Sequence, residues 1–335
     1  MNTHRPCDTQ PDLGRWNLPP QRRSAMKADL LRRIDADVAA APRTAVQRLL
    51  VRPVVVLPAA ALAVTALVLT AVTGDSLDTP HRATGARADA AAVVWLDQAA
   101  TVASRGDVPA VRDDQFVYVR SLVRDNTAAF GAPARLGPPH RREIWTVQDP
   151  DPVSRTGTLR ETGPGAIMPG QTVPIVDGGR ASAPGVHRPT YAWLAGLPTE
   201  SGALLALLRE QVVPADGQSV DHAVFDVIGE LLHETIVPPP VAAALYRVAA
   251  DLPGVTGGGD AVDAAGRSGI GITFDDGRSA TRNEWIFDRD TFAFLGDRTY
   301  FTGRGKRPDV LFHSSAVLQR AVVDRLGEQP SGTDQ

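Results

Sequence analysis

The stretch PVVVLPAAALAVTALVLTAVT, residues 53–73, contains no charged side chain, and ten of its 21 residues are Val or Leu. Coiled as an α-helix at about 1.5 Å per residue, it would span roughly 32 Å, close to the hydrocarbon thickness of a bilayer. Each Val or Leu favours insertion by about 0.3 to 0.6 kcal/mol, and no Asp, Lys or Arg opposes them. We therefore predict a transmembrane helix, whose residues include Pro53, Val54, Leu57, Leu62, Leu67, Leu69 and Val72.

Other interpretations of this stretch fit the sequence less well. A buried helix of a soluble protein would normally show a polar stripe, and only three Thr residues are present here. A cleaved signal peptide lies nearer the N-terminus and has a shorter apolar core, whereas 52 residues precede this stretch. A lipoprotein anchor would need a Cys after the stretch, and the single Cys of the chain is Cys7.

The charges on either side of the stretch predict its orientation. Residues 1–52 contain ten Lys or Arg and five Asp, and Arg43, Arg48 and Arg52 lie closest to the span. The positive-inside rule places the N-terminus in the cytoplasm and residues 74–335 outside, in a single-pass protein of the cell membrane. The outer part contains 25 basic and 33 acidic residues, a net charge of −8, which argues against a nucleic acid partner.

The cytoplasmic tail, residues 1–52, is predicted to contain one helix. Residues 1–21 are rich in Pro and polar side chains and are expected to be disordered. Residues 24–40 have apolar side chains at helical spacing, with Arg and Asp between them, which predicts an amphipathic helix. Such a helix could lie on the inner leaflet, bind a cytoplasmic partner or remain solvated, and the sequence leaves all three alternatives open.

Residues 74–87 are predicted to be a polar linker, residues 88–326 one extracytoplasmic domain, and residues 327–335 a disordered tail. Apolar–polar alternation predicts strands at 115–124, 141–148, 156–161, 255–262, 269–275, 281–288 and 291–296, with a strand or strand–helix at 307–325. Helices are predicted at 88–104, 201–213, 221–235 and 241–252, with a long loop at 163–189 and Thr199 as an N-cap. This order predicts an α+β fold, in which one curved antiparallel sheet carries helices on its concave face.

No pattern in the outer domain predicts catalysis, a metal site or a cofactor. His233-Glu234 lacks the second His of a zinc-protease motif, and Ser268 lacks the Gly-x-Ser-x-Gly elbow of hydrolases. The Gly-rich runs at 257–259 and 266–271 do not match a phosphate-binding loop, which needs Gly-Lys followed by Ser or Thr. We therefore expect that the protein is not an enzyme. The outer His residues are dispersed, without a pair at metal-ligand spacing: His81, His140, His187, His222, His233 and His313.

Aromatic residues are concentrated in the last predicted hairpins, and they include Trp285, Phe287, Phe292 and Phe294. The main interpretation is that they pack the sheet against the helices. The alternative is that some of them line an apolar groove on the concave face, where a lipid or another apolar ligand would bind.

The segment VPPPVAAALYRVAADLPGVTGGGDAVDAAGRSGIGITF (237–274), followed by WIFDRDTFAFLG (285–296), resembles single-pass membrane proteins of actinobacteria. These proteins are commonly encoded beside genes for extracytoplasmic-function sigma factors. The likeness extends to the helix ending in Arg32-Arg33-Ile34, the span, the strand QFVYVRS and Leu197-Pro198. The resemblance implies a membrane-anchored envelope protein and supplies no catalytic residues. A curved sheet with helices on one face is also similar in architecture to lipoprotein-carrier and envelope-stress sensor domains.

Two function hypotheses follow. The first is an envelope protein that senses or signals, with residues 1–52 contacting a sigma factor or its regulator. The alternative is a membrane-tethered carrier that holds a lipid or another apolar ligand against the inner face of the sheet. A third possibility is an extracellular hydrolase, which would require folding to bring separated His and Asp residues together, and the sequence alone does not exclude this.

Overall fold

The computed structural model describes residues 88–129, 132–177, 180–215, 217–303 and 307–330. The predicted cytoplasmic tail, its helix at 24–40, the span at 53–73 and the linker at 74–87 lie outside these residues. Among the residues described, no helix combines the length and the apolar character needed to cross a membrane. The predictions for residues 1–87 therefore stay predictions.

Nine strands form one curved antiparallel sheet in the spatial order β4-β3-β2-β1-β9-β8-β7-β6-β5. Two meanders, β1 to β4 and β5 to β8, are joined by β9, which pairs with β1 on one side and β8 on the other. The predicted antiparallel sheet is confirmed. The strands are β1 (Phe116–Asp125), β2 (His140–Val147), β3 (Arg155–Thr162), β4 (Thr172–Val176), β5 (Val255–Val262), β6 (Ser268–Phe274), β7 (Thr281–Phe287), β8 (Phe294–Phe301) and β9 (Val310–Val323).

The helices of the described part precede β1 or lie between β4 and β5. They are α1 (Ala90–Ala103), α2 (Tyr191–Ala195), α3 (Ser201–Gln211), α4 (Val220–Glu234) and α5 (Pro239–Asp251). Side-chain oxygens accept backbone N–H groups at the first turns of the first four helices, which satisfies donors that have no partner within the helix. The capping residues are Asp89, Thr190, Glu200 and Ser219.

Several predicted boundaries differ from the structure. The N-cap of α3 is Glu200 rather than Thr199, because the Glu200 carboxylate accepts two backbone N–H groups at 2.9 and 2.6 Å. The predicted long loop at 163–189 contains the short edge strand β4. The last predicted hairpin strand begins later than residue 291, because Phe292 has a φ of 58° and lies in the turn before β8.

The inner face of the sheet is the face that packs against the helices. Along β1, Val117 and Val119 point to this face and belong to the core between sheet and helices. Tyr118 between them points to the opposite face, which we call the outer face. Successive side chains of a strand point to opposite faces, so the alternation seen in the sequence separates the two faces. On the helix side, Phe225 of α4 stacks on Trp285 of β7 with ring centroids 3.8 Å apart and ring planes within 5°. Both side chains are buried.

The outer face carries a buried carboxylate, Glu143, which is 1% exposed. The Tyr118 hydroxyl donates to it at 2.7 Å, and Arg160 donates from Nε and Nη2 at 2.9 and 2.7 Å. Gln329 donates a further hydrogen bond. Burial raises the pKa of Glu143, but these donors more than offset burial, so the pKa of this carboxyl lies below its usual value.

The C-terminal end of the described chain lies over this network. Trp145 Nε1 donates to the backbone carbonyl of Glu328 at 2.6 Å, and Gln329 reaches Glu143. The predicted disordered tail therefore does not begin at Gly327, because residues 327–330 belong to the folded domain. Residues 331–335 lie outside the described part.

We predict that Gly229→Ala lowers the free energy of unfolding by about 1 to 3 kcal/mol, as overpacking of a core typically does. A Cβ at this position of α4 would lie 2.6 Å from Nε1 of the buried Trp285. Gly202→Ala in α3 is the matched control, because its Cβ would meet only the exposed Glu200 carboxylate, at 3.2 Å. In a helix without a clash, Gly→Ala stabilises by about 0.5 to 1 kcal/mol.

Thermal unfolding of the purified full-length variants, followed by tryptophan fluorescence, measures this difference. Gly229→Ala should lower Tm, whereas Gly202→Ala should leave it unchanged or raise it. Equal shifts in the two variants would contradict the close contact between α4 and Trp285.

Candidate functional site

Three histidines and two aspartates follow one another on the inner face, beside the C-terminal turn of α4. His140 Nε2 lies 3.8 Å from Asp125 Oδ2, and Asp125 Oδ1 lies 2.8 Å from His313 Nδ1. On the other side of its ring, His313 Nε2 lies 3.7 Å from Asp297 Oδ2. Asp297 Oδ1 lies 3.7 Å from His233 Nδ1. We call these five residues the histidine–aspartate chain.

The strand register brings the chain together. Asp125 pairs directly with His313 between β1 and β9, and His140 pairs with Val123 between β1 and β2. Since Val123 and Asp125 are two residues apart, their side chains share one face of the sheet. His233 comes from the last turn of α4, so the chain joins a helix to β1, β2, β8 and β9.

The members of the chain differ in exposure. The His140 side chain is 3% exposed and that of His233, at the other end, 13%, whereas the Asp125 side chain is 54% exposed. Among the described residues, neither ring nitrogen of His140 has a hydrogen-bond partner, and neither does Nε2 of His233. Both ends of the chain therefore lie away from solvent, and the chain reaches it through Asp125.

Charged groups border the chain on both sides. Glu161 Oε1 lies 3.5 Å from His140 Nε2, and Arg142 Nη2 lies 3.7 Å from Glu234 Oε1. Arg320 donates a hydrogen bond to the backbone carbonyl of Leu232 in the last turn of α4. Burial lowers the pKa of Arg320 to about 10, so it remains a cation at neutral pH.

The surroundings shift the pKa values of His313 and His233 in opposite directions. Burial lowers the pKa of His313, but the hydrogen bond to Asp125 and the charge of Asp297 more than offset it, and the pKa is raised. The hydrogen bond from His313 in turn lowers the pKa of Asp125. For His233, burial dominates over the attraction of Asp297, and its pKa is lowered. At the same pH, His313 therefore holds its proton more readily than His233 does.

Imidazoles and carboxylates arranged in this way can bind and release protons. In the described part of the chain, no group of three or more His, Cys, Asp or Glu side chains is arranged to hold a metal ion. The Ser315 hydroxyl donates to Asp297 rather than to an imidazole, so its contacts are not those of an activated nucleophile.

The four aromatic residues of the predicted groove lie between sheet and helices: Trp285, Phe287, Phe292 and Phe294. Trp285 stacks on Phe225, Phe287 meets Tyr246 edge-on at 5.5 Å, and Phe292 packs on Trp95 at 4.8 Å. Side chains of α1, α4 and α5 therefore occupy the space in front of these rings. The packing agrees with the main interpretation of these aromatics and gives no support to a groove.

The remaining sequence-predicted site residues cannot be placed. Arg43, Arg48, Arg52 and the residues of the predicted span at 53–73 lie outside the described part.

The sequence does not identify the five members of the histidine–aspartate chain as a group. Separated His and Asp residues brought together by folding entered only as what a hydrolase would require, and His140, His233 and His313 lie far apart in the sequence. A weak signal lies in α4, where Asp226, Glu230 and His233 recur at helical spacing beside the apolar residues of the helix. The other members of the chain lie on β1, β2, β8 and β9, and the order of these strands in the sheet could not be predicted from the sequence.

Comparison with known proteins finds no matching family model, no matching curated protein and no matching solved structure.

We predict that Asp125→Asn lowers the pKa of His313 towards or below its ordinary value of about 6.5. The variant removes the carboxylate whose hydrogen bond raises the pKa of that imidazole. The stability that this pair adds is fully present below the pKa of unfolded His and is lost as pH rises through the raised pKa of folded His313. Asp125 is half exposed, so solvent screening keeps this contribution small.

NMR titration of the full-length protein, with histidine labelled at Cε1, measures this pKa. Asp114→Asn is the control, because Asp114 is exposed and pairs with Arg112. If the pKa of His313 is the same in Asp125→Asn as in the wild type, the hydrogen bond between Asp125 and His313 does not raise that pKa.

Proposed function

We propose that the protein is a membrane-anchored envelope protein that senses conditions outside the cell membrane and signals inward. In this proposal residues 53–73 span the bilayer, the α+β domain lies outside, and residues 1–52 contact a sigma factor or its regulator in the cytoplasm. The apolar run, the basic flank before it and the resemblance to proteins encoded beside sigma factors motivate it.

The observation that carries the sensing part is the position of the histidine–aspartate chain. It lies where the last turn of α4 meets four strands, so a change of charge there acts on the contact between helix and sheet. Protonation of histidines is a known way to bias such a contact between two arrangements. A nucleophilic mechanism would need an activated hydroxyl beside the imidazoles, and the Ser315 hydroxyl donates to Asp297 instead.

The carrier alternative gains nothing from the packing of the inner face. A lipid there would have to displace Phe225 from Trp285, where the two rings lie flat against each other. An open apolar cleft is the feature that a carrier uses to hold its ligand. The sensing proposal needs no such space.

We predict that the full-length protein stays with membranes after an alkaline carbonate wash. Leu62→Arg combined with Leu67→Arg should release it, because the two changes add roughly 6 to 8 kcal/mol to the free energy of insertion. This exceeds the roughly 3 to 6 kcal/mol that the Val and Leu residues of the span provide. Leu62→Ile with Leu67→Ile is the matched control and should remain bound.

A reporter enzyme fused after Gln335 tests the orientation of the same protein. Activity confined to the cytoplasm, or a wild-type protein that washes free of membranes, would refute the anchored topology.

We predict that residues 1–52, within the full-length protein, bind an extracytoplasmic-function sigma factor of the same organism, as the resemblance implies. Leu30→Asp with Leu31→Asp should abolish co-purification, because both residues lie on the apolar face of the predicted helix at 24–40. Asp35→Asn, on the polar face, is the control. Absence of binding by the wild-type protein would remove the cytoplasmic half of the proposal.

A further inference from the structure

We infer that the histidine–aspartate chain is a proton-sensing site, in which protonation of His233 at acidic pH loosens the last turn of α4 from the sheet. This inference rests on the proposed function, because it names the condition that the outer domain senses. It is carried by the position of His233 and by the contacts that hold the end of α4.

His233 lies in a place that tolerates a neutral imidazole better than a cation. Its side chain is 13% exposed, Nε2 has no hydrogen-bond partner in the described part of the protein, and the centroid of the Phe294 ring lies 6.5 Å from that of the imidazole. The nearest carboxylate, that of Asp297, is 3.7 Å away and is shared with His313. A proton on His233 would therefore meet a partner already occupied by another histidine.

The charged groups around His233 come from α4 itself and from β2, β8 and β9. β8 contributes Asp297, and α4 itself contributes Glu230 and Glu234. The cations are Arg142 from β2 and Arg320 and His313 from β9. From α5, Tyr246 faces Arg320 rather than His233.

The balance of these groups opposes a cation at His233. Burial and the two arginines outweigh the attraction of the carboxylates, so the folded arrangement holds this proton less tightly than an exposed histidine would. Opening of the helix end removes that penalty. By linkage, the open form gains population as pH falls below the ordinary pKa of histidine, about 6.5, and the closed form is favoured above it.

The last turn of α4 combines apolar and polar contacts. Leu231 and Leu232 are buried in the core between helices and sheet. Arg320 of β9 donates to the Leu232 carbonyl, and the Thr235 hydroxyl donates to the Leu231 carbonyl at 2.6 Å. An opening limited to this turn would expose the two leucines and leave the contact of Phe225 with Trp285, nearer the start of the helix, in place.

Hydrogen exchange of the full-length protein, measured by mass spectrometry at about pH 7.5 and about pH 5.5 and corrected for intrinsic rates, tests the inference. Peptides covering residues 228–235 should lose protection by about threefold or more at the acidic pH, since protection follows the local opening equilibrium. Peptides from α5, residues 239–251, should not. An equal change in both segments, or none in either, would overturn the inference.

Two variants assign the effect to one side chain. His233→Gln keeps a polar side chain that does not titrate and should abolish the pH dependence at 228–235. His187→Gln, at an exposed histidine outside the chain, should leave it unchanged. If His233→Gln retains the full pH dependence, the site is not His233. If that variant does not fold, the comparison of the two wild-type segments still decides the inference.

The hydrogen-exchange experiment and the tests of the proposed function can fail independently of each other. The exchange experiment can fail while the protein remains membrane-bound and its tail binds the sigma factor, in which case the domain senses something other than protons. Conversely, an acid-induced opening in a protein that washes free of membranes would leave the site intact and refute the anchored topology.

Discussion

The pairing of β9 with β1 is the constraint on which the rest of the domain depends. It joins residues about two hundred positions apart, from Phe116 opposite Val323 to Asp125 opposite His313. Because β9 also pairs with β8, its removal would divide the sheet into two meanders with unpaired edges, which are prone to association. The same pairing positions two polar clusters. It sets Asp125 against His313 on the inner face, and it brings the residues after β9 to Trp145 on the outer face.

Helix α4 is held to the sheet in two different ways along its length. Its centre is attached by an apolar contact, Phe225 on Trp285, which does not depend on pH. Its last turn, beside the buried Leu231 and Leu232, adds polar contacts to Arg320 and to the histidine–aspartate chain, and the strength of the contacts with that chain depends on pH. The strength of an apolar contact depends on the area removed from water. The strength of a contact between ionisable groups depends on the charge that each group carries, and therefore on pH. A helix attached in this way can change at one end while the domain keeps its core.

The sequence predicted the kinds of element well and their arrangement less well. Alternation along residues 115–124 identified β1, and Asp-Gly at 276–277 identified the turn between β6 and β7, because both signals are local. The partnership of β1 with β9 carries no local signal, since any strand with an apolar face fits beside another. The histidine–aspartate chain depends on that partnership and was therefore invisible. Glu328 and Gln329 look like an ordinary polar tail until β9 delivers them to buried groups on the outer face.

The two buried ionisable systems of the domain differ in how their charge is fixed. Glu143 on the outer face receives hydrogen bonds from Tyr118, Arg160 and Gln329, and these donors keep it ionised although it is buried. A fully partnered group of this kind is rigid, and removing one partner leaves a buried charge uncompensated. His233 has no comparable set of partners, and its nearest carboxylate also faces His313. The outer network therefore keeps the same charge over the pH range in which histidine titrates, whereas the inner chain does not. A domain that responds to acidity without unfolding can use both. The outer network holds the C-terminal residues 328–329 to the sheet at any such pH, and His233 lies where the end of a helix can open.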